Sequence, residues 1–191
     1  GATENVMLAA TAAEGETRII NPAKEPEIID LQNYLNACGA DINGAGTGEI
    51  LIRGKKSYHQ VEHRVIPDRI EGGTVLAAVA ITGGNVILRN AIPEHMSMTL
   101  SKLKEAGCRI RERKDSIELF CPGKLKAVET VKTLPYPGFP TDMQSQFLTL
   151  MTVAQGTSVI TETIFESRFK YVEELRKMGA RIKVDGRTAV V

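Results

Sequence analysis

The feature that most limits the fold of this chain is a pattern that occurs three times along its 191 residues. In each copy a glycine follows an apolar stretch, and a second glycine comes 23 or 24 residues later. A leucine precedes that closing glycine by four positions and an isoleucine follows it by three. Such a register predicts three repeated structural units. Its members are Gly15, Leu35, Gly39 and Ile42, then Gly84, Leu103, Gly107 and Ile110, then Gly156, Leu175, Gly179 and Ile182.

Each copy predicts an α/β unit with the order helix, strand, helix, strand, strand. The first helix is apolar on nearly every side, so we expect it to be largely buried, and the opening glycine is expected to end it. The second helix is amphipathic and begins at Pro26 or Pro93 in the first two copies. The predicted first helices cover residues 6–13, 75–81 and 147–153, the next strands 17–20, 85–88 and 157–161, and the closing strands 42 with 49–52, 109–112 with 116–120, and 181–184 with 188–191.

Two connectors separate the copies. Residues 55–67 are rich in charged side chains, and residues 122–140 contain four prolines. The prolines predict a rigid, irregular loop. Loops held on a fixed scaffold often carry function.

Composition excludes several classes of protein. The formal net charge of +1 leaves no basic excess for nucleic acid or an anionic membrane, and no apolar run reaches the roughly 20 residues that a membrane helix needs. The cysteines Cys38, Cys108 and Cys121 have no paired spacing, so we expect packed thiols in a reducing cytoplasm.

Two motifs imitate known sites. Residues 59–63 match the H-x-x-E-H pattern of a zinc protease, but that chemistry needs a helix, and the flanks predict an extended connector with two solvated histidines. Residues 44–48 resemble a dinucleotide-binding loop. Because they lead into a strand rather than a helix, they predict a hairpin turn.

The most informative segment runs from Pro140 to Gln144. Thr141 is a candidate helix N-cap, and Asp142 falls in the first turn of a predicted helix. Asp68 has the same layout in the preceding copy. Either aspartate could simply stabilise a helix start. Alternatively, helix N-termini could converge on a cleft that binds anionic groups, where a carboxylate could deprotonate a sugar hydroxyl.

Arg168 lies where a strand leads into the next predicted helix. A cation near a helix start opposes the helix dipole. An anionic ligand or an acidic partner therefore explains this arginine better than helix stability does, and arginine suits bidentate recognition of a carboxylate.

Several segments together resemble one family. They are residues 1–5, 24–30, 67–71, 138–144 and 160–166, and the likeness spans the whole chain. The sequence is similar to the UDP-N-acetylglucosamine 1-carboxyvinyltransferases, enolpyruvyl transferases of peptidoglycan and cell wall synthesis. The resemblance implies two domains, each an inside-out α/β barrel of three units, with the active site between them. It also implies addition of the sugar 3-hydroxyl to phosphoenolpyruvate, loss of phosphate, and no metal or organic cofactor.

The same resemblance assigns roles to individual residues. Asp142 matches the aspartate that contacts the 3-hydroxyl and takes its proton, and Arg168 matches an arginine directed at the enolpyruvyl carboxylate. Ile164 matches a backbone contact to the uridine nucleotide. Ser167 stands where the motif usually has asparagine, and Tyr136 where many members have histidine. Thr141, Thr163 and Phe165 would line the nucleotide pocket.

The resemblance also implies that this is an internal segment. Residues 1–66 match the last unit of one domain, and residues 67–191 match two units of the other. The cysteine loop that donates a proton and an N-terminal Lys-Asn pair lie upstream in the family, so we expect the segment alone to be inactive and to need the remainder of its parent chain. Two alternatives stay open: the sister enolpyruvyl transferase acting on shikimate phosphate, and a non-catalytic repeat module that binds a protein.

Overall fold

Six α-helices and ten β-strands are present in the computed structural model, which describes residues 1–191. The chain divides into two compact units, Gly1–Ile66 and Pro67–Val191. We describe each unit by itself. Both mix helices with antiparallel sheet, so the predicted α/β content is correct.

The first unit packs two helices on one small sheet. Its buried hydrophobic cluster consists of Met7, Ala10, Ile28, Leu35, Ile42, Ile50 and Ile52. The sheet has the strand order β1-β3-β2 and is antiparallel throughout. In chain order the elements are α1 (Ala2–Thr11), β1 (Glu16–Ile20), α2 (Pro26–Ala37), β2 (Asp41–Asn43) and β3 (Glu49–Arg53).

The second unit begins with the same order of elements. A 3₁₀ turn, Pro93–Met96, leads into its second helix, and the antiparallel sheet has the order β4-β6-β5. The elements are α3 (Arg69–Thr82), β4 (Gly84–Arg89), α4 (Ser97–Glu105), β5 (Arg109–Glu112) and β6 (Ser116–Cys121).

The rest of the second unit holds a four-stranded sheet of order β7-β8-β10-β9. Its strand β7 (Thr130–Lys132) pairs in parallel with β8 and lies inside the connector that we expected to be irregular throughout. Val131 is fully buried between polar neighbours, which explains the short strand. The other elements are a 3₁₀ turn (Thr141–Met143), α5 (Gln144–Met151), β8 (Val159–Thr161), α6 (Val172–Lys177), β9 (Lys183–Asp185) and β10 (Thr188–Val190).

The closing glycines end α2, α4 and α6 by one hydrogen-bond pattern. Gly39, Gly107 and Gly179 have φ of 102°, 103° and 97°, which a residue with a Cβ rarely adopts. The amide that follows each glycine donates to the leucine carbonyl four positions before it, at 2.9–3.0 Å. This is the Schellman arrangement. It gives a physical reason for the leucine–glycine spacing in the sequence.

The opening glycines behave differently from our expectation. Helix α1 ends at Thr11 and α5 at Met151, several residues before Gly15 and Gly156. Among the first helices of the three copies, only α3 ends at a glycine, and that residue is Gly83. In α1 and α5 the last turns instead close through tighter i→i+3 bonds, such as Ala13 N to Ala10 O at 3.2 Å.

The first helices also differ in burial. Helix α5 is buried on most sides, as predicted, through Phe147, Leu148 and Leu150. Helix α1 is not, because Val6 and Leu8 are 45% and 48% exposed. An apolar sequence on every side therefore predicted burial correctly for α5 and wrongly for α1.

Helix α3 packs directly against the turn that enters α5. A Cβ on Gly73 would lie 2.8 Å from Sδ of Met143, so the glycine allows a close approach that a larger residue would prevent. Nearby, Gln146 Nε2 donates to Thr74 Oγ1 at 3.0 Å. These contacts fix the start of α5, where Asp142 lies.

Candidate functional site

The two equivalent aspartates of the second unit do different things. Asp68 is the N-cap of α3, and its Oδ1 accepts from the amides of Ile70 and Glu71 at 2.7 and 3.0 Å. Asp142 lies in the 3₁₀ turn before α5 and caps no amide. Helix-start stabilisation therefore accounts for Asp68 and leaves Asp142 to be explained.

Asp142 is paired with Arg168. The guanidinium Nη2 donates to Asp142 Oδ1 at 2.8 Å, with the Arg168 and Asp142 side chains 33% and 56% exposed. Helix α6 starts only at Val172, so Arg168 belongs to the preceding loop and not to a helix start as we expected. Because an exposed pair contributes about 0–1 kcal/mol, stability alone is a weak reason for this geometry.

The loop before Arg168 presents two apolar side chains to solvent. Ile164 is 38% exposed and Phe165 is 50% exposed. The Arg168 guanidinium carbon lies 4.9 Å from the centre of the Phe165 ring, which is cation–π distance. The site thus combines a carboxylate, a guanidinium and an exposed apolar surface, which is a suitable set of groups for a ligand with both charged and flat parts.

A buried carboxylate that the sequence analysis missed lies beneath this surface. Glu162 is 1% exposed. Its Oε1 accepts from Thr133 Oγ1 at 2.9 Å and from the amides of Ile164 and Phe165 at 2.8 and 3.1 Å. Its Oε2 accepts from Thr141 Oγ1 at 2.8 Å. One signal was available, because Glu162 shares strand parity with buried Ile160 and so points inward.

These contacts determine the charge state of Glu162. Burial by itself would raise the pKa, since desolvation disfavours the carboxylate. The hydrogen bonds from Thr141, the two loop amides and Thr133 outweigh burial and hold the pKa below its ordinary value. Glu162 is therefore a fixed anion at neutral pH.

The remaining predicted residues join the same cluster. Thr141 is not an N-cap, because its hydroxyl donates to Glu162 and Pro140 occupies the cap position. Thr163 donates its amide to Thr133 Oγ1 at 2.9 Å and its hydroxyl to the Thr133 carbonyl. The Ile164 amide is taken by Glu162, so a backbone contact from this residue to a ligand has to use its carbonyl.

A tyrosine links the loop near Arg168 to α5. Tyr171 donates its hydroxyl to Oε1 of fully buried Gln144 at 3.0 Å. Burial raises the pKa of Tyr171 well above its ordinary value, more than the opposing effects of Gln144 and Arg168 lower it. The phenol therefore stays protonated and remains a donor that ties the loop near Arg168 to the start of α5.

A cavity of about 240 Å³ lies next to the start of α3. Asp68, Arg69, Arg89 and His95 are among the residues that line it. The Arg69 guanidinium carbon lies 5.6 Å from the centre of the Tyr136 ring. None of the six predicted site residues lines this cavity.

The two segments that imitate other sites lie in a turn and in a connector. Residues 44–48 form the turn between β2 and β3, as predicted. Residues 59–63 form neither helix nor strand. His59 is exposed, but His63 is only half-buried, with Nε2 3.0 Å from Asp30 Oδ1, so it is less solvated than we expected.

The thiols are packed rather than activated. Cys108 and Cys121 are buried, while Cys38 is only partly buried. Burial, with the neighbouring Cys121 thiol, raises the pKa of Cys108 to about 12. A thiol in this state is a poor nucleophile.

The six predicted site residues fall into one connected cluster. Arg168 contacts both Asp142 and Phe165. Thr141 and Ile164 donate to Glu162, and Thr163 donates to Thr133. The structure groups no three His, Cys, Asp or Glu side chains where they could hold a metal ion. No helix is long and apolar enough to cross a membrane.

Comparison with known proteins identifies the family to which this chain belongs. A family model described as EPSP synthase (3-phosphoshikimate 1-carboxyvinyltransferase) matches residues 1–191, and the chain belongs to this family. A solved structure, the enolpyruvyl transferase NikO from Streptomyces tendae, is similar over 100% of this chain and 46% of its own, with a TM-score of 0.87 and 26% sequence identity.

Curated relatives give a more specific name. The chain is 56% identical over all 191 residues to UDP-N-acetylglucosamine 1-carboxyvinyltransferase 2 of Caldanaerobacter subterraneus subsp. tengcongensis. It is 58% identical, again over 191 residues, to UDP-N-acetylglucosamine 1-carboxyvinyltransferase 1 of Symbiobacterium thermophilum. It covers 46% and 43% of those proteins, so it spans less than half the length of the relatives it matches.

Proposed function

We propose that this chain is an internal part of an enzyme that transfers the enolpyruvyl group of phosphoenolpyruvate to the 3-hydroxyl of UDP-N-acetylglucosamine, with release of phosphate, in the cytoplasmic synthesis of peptidoglycan precursors. The observation that carries the proposal is the contact between Asp142 and Arg168 beside an exposed apolar loop. The names of the curated relatives support this acceptor.

The proposed chemistry needs a base and a carboxylate receptor close together. The sugar hydroxyl adds to C2 of phosphoenolpyruvate while C3 gains a proton, which gives a tetrahedral ketal. Loss of phosphate from C2 and of a proton from C3 then restores the double bond. In this scheme Asp142 accepts the hydroxyl proton as general base, and Arg168 binds the enolpyruvyl carboxylate through its planar guanidinium.

The ion pair supports this division of roles. Both side chains are partly exposed, so an incoming carboxylate can compete for Arg168 at a cost of about 1 kcal/mol or less. Exchange of partners would leave Asp142 free to contact the hydroxyl. Ile164, through its carbonyl, and Thr141, Thr163 and Phe165, through their side chains, would contact the nucleotide.

The proposal extends to architecture. We assign residues 1–66 to the last unit of one inside-out α/β barrel and residues 67–191 to two units of the other. The proton for C3 would come from the cysteine loop of the remaining parent chain, so these 191 residues alone would not turn over substrate. Phosphoenolpyruvate, the sugar nucleotide and the rest of the parent chain are the proposed partners.

Phosphate release by the whole protein tests the function. With phosphoenolpyruvate and UDP-N-acetylglucosamine we expect steady release, which Asp142→Ala lowers by about 10²–10⁴-fold in kcat through loss of the base. Asp115→Ala, in an exposed turn between β5 and β6, is the matched control and should leave kcat unchanged. Near-normal turnover by Asp142→Ala would remove the base assignment.

One observation favours a second candidate, because the matching family model is described as 3-phosphoshikimate 1-carboxyvinyltransferase. Shikimate 3-phosphate in place of the sugar nucleotide separates the two. Phosphate release from phosphoenolpyruvate with shikimate 3-phosphate, and none with the sugar nucleotide, would overturn the proposed acceptor. Binding of neither acceptor would favour a non-catalytic module.

A further inference from the structure

Glu162 connects the two halves of the candidate site. Thr141, which donates to its Oε2, directly precedes Asp142 in the 3₁₀ turn. Phe165, whose amide donates to its Oε1, carries the ring that lies 4.9 Å from the Arg168 guanidinium. One buried carboxylate therefore holds the backbone next to the aspartate and the ring under the arginine.

The connection crosses parts of the chain that are far apart in sequence. Thr133 follows β7, Thr141 precedes α5, and the loop of Ile164 and Phe165 follows β8. The four hydrogen bonds that these groups donate to Glu162 are 2.8–3.1 Å long. Among them, only the bond from Thr141 uses Oε2. Glu162 therefore binds the residue before Asp142 through Oε2 and the loop before Arg168 through Oε1.

We propose that Glu162 is a positioning residue that sets the alignment of Asp142 with Arg168, and that it does so by its length and hydrogen bonds rather than by its charge. This inference rests on the proposed function for its catalytic consequence. Glu162 itself does not touch substrate in this scheme, because it is buried beneath the loop.

Two conservative substitutions separate geometry from charge. Glu162→Gln keeps the length: its amide oxygen can accept from the loop amides, and its nitrogen can donate to the Thr141 hydroxyl. Glu162→Asp keeps the charge but is one methylene too short to reach both sides. We expect kcat of the whole protein to fall by about 10²-fold in Glu162→Asp, as a misplacement of about 1 Å does, and less than tenfold in Glu162→Gln.

The matched control is Glu166→Asp. Glu166 lies in the same loop, its side chain is 85% exposed and it pairs with Arg187 at 3.1 Å, so the same change should leave kcat at the wild-type value. All rates are compared at a temperature where thermal unfolding shows each variant folded. A purely structural role would lower the melting temperature of Glu162→Asp without changing its kcat. That result would overturn the proposal, as would Glu162→Asp being more active than Glu162→Gln.

Thr133→Val keeps the test decisive if Glu162→Asp does not fold. It replaces a fully buried hydroxyl that donates to Glu162 and accepts from Thr163 by a methyl group of the same shape. We expect kcat to fall by about tenfold, given the loss of one of the bonds that hold Glu162. A folded Thr133→Val with wild-type kcat would contradict the proposal.

Hydrogen exchange separates this proposal from the proposed function. Glu162→Asp should speed amide exchange in both residues 139–143 and residues 163–168, whether or not the wild-type protein turns over substrate. Absence of wild-type phosphate release refutes the function alone. Unchanged exchange in both segments refutes the positioning role alone.

Discussion

Ser167, next to Arg168, adopts an unusual backbone conformation. Three non-glycine residues have positive φ: Asn21 at 54°, Asn90 at 53° and Ser167 at 54°. Asparagine tolerates this left-handed region better than other residues with a side chain. The asparagine that the family motif usually has at this position therefore has a physical reason, and Ser167 is the less suited residue here.

Substitution at Ser167 should follow this conformational preference. We expect Ser167→Asn to raise the free energy of unfolding by a few tenths of a kcal/mol, and the β-branched Ser167→Val to lower it by about 1 kcal/mol. Urea unfolding measures both. The same changes at Ser101, exposed in α4, should matter little, because these residues have similar helix propensities. Equal stability of Ser167→Val and wild type would contradict the strain.

At the scale of elements, the turn between β2 and β3 has positive φ at both Gly44 and Gly46, and the backbone leaves least room for a side chain at Gly44. Gly44 has φ of 97°, and a Cβ there would lie 2.1 Å from the Glu49 carbonyl oxygen. Gly48, in the same turn, has no positive φ, and a Cβ added to it would meet no other atom within 4 Å. The glycine-rich loop is thus explained by the hairpin it closes.

Alanine substitutions should distinguish Gly44 from Gly48. Gly44→Ala forces a left-handed conformation and a clash with backbone, so we expect it to lower the opening free energy of β2 and β3 by more than about 1 kcal/mol. Gly48→Ala should leave it unchanged or slightly raised, since alanine restricts the unfolded chain. Hydrogen exchange of the strand amides reports both. An equal loss of opening free energy in Gly44→Ala and Gly48→Ala would contradict the special requirement for glycine at Gly44.

At the scale of the whole molecule, the two units have cores of very different size. The first unit has seven residues in its buried cluster and the second has 26. The first unit also leaves Val6 and Leu8 of α1 exposed. A small core gives little stability by itself, which agrees with our proposal that residues 1–66 are one unit of a larger barrel.

Features that depend on residues close together in the chain were visible in the sequence. The leucine–glycine spacing was visible in the sequence because the Schellman bonds that end α2, α4 and α6 join residues only five apart in the chain. Strand β7 was missed because three residues are too few for their alternation to be recognised, and the strand is held by its pairing with β8. Glu162 was missed for a related reason: its partners, such as Thr133 and Thr141, come from segments that only the fold brings together.

The most direct measurement is a crystal structure of the whole protein with UDP-N-acetylglucosamine bound. We predict that a carboxylate oxygen of Asp142 lies within about 3.2 Å of the sugar 3-hydroxyl. A bound sugar nucleotide that contacts neither Asp142 nor Arg168, with their ion pair intact and remote from it, would contradict the proposed mechanism.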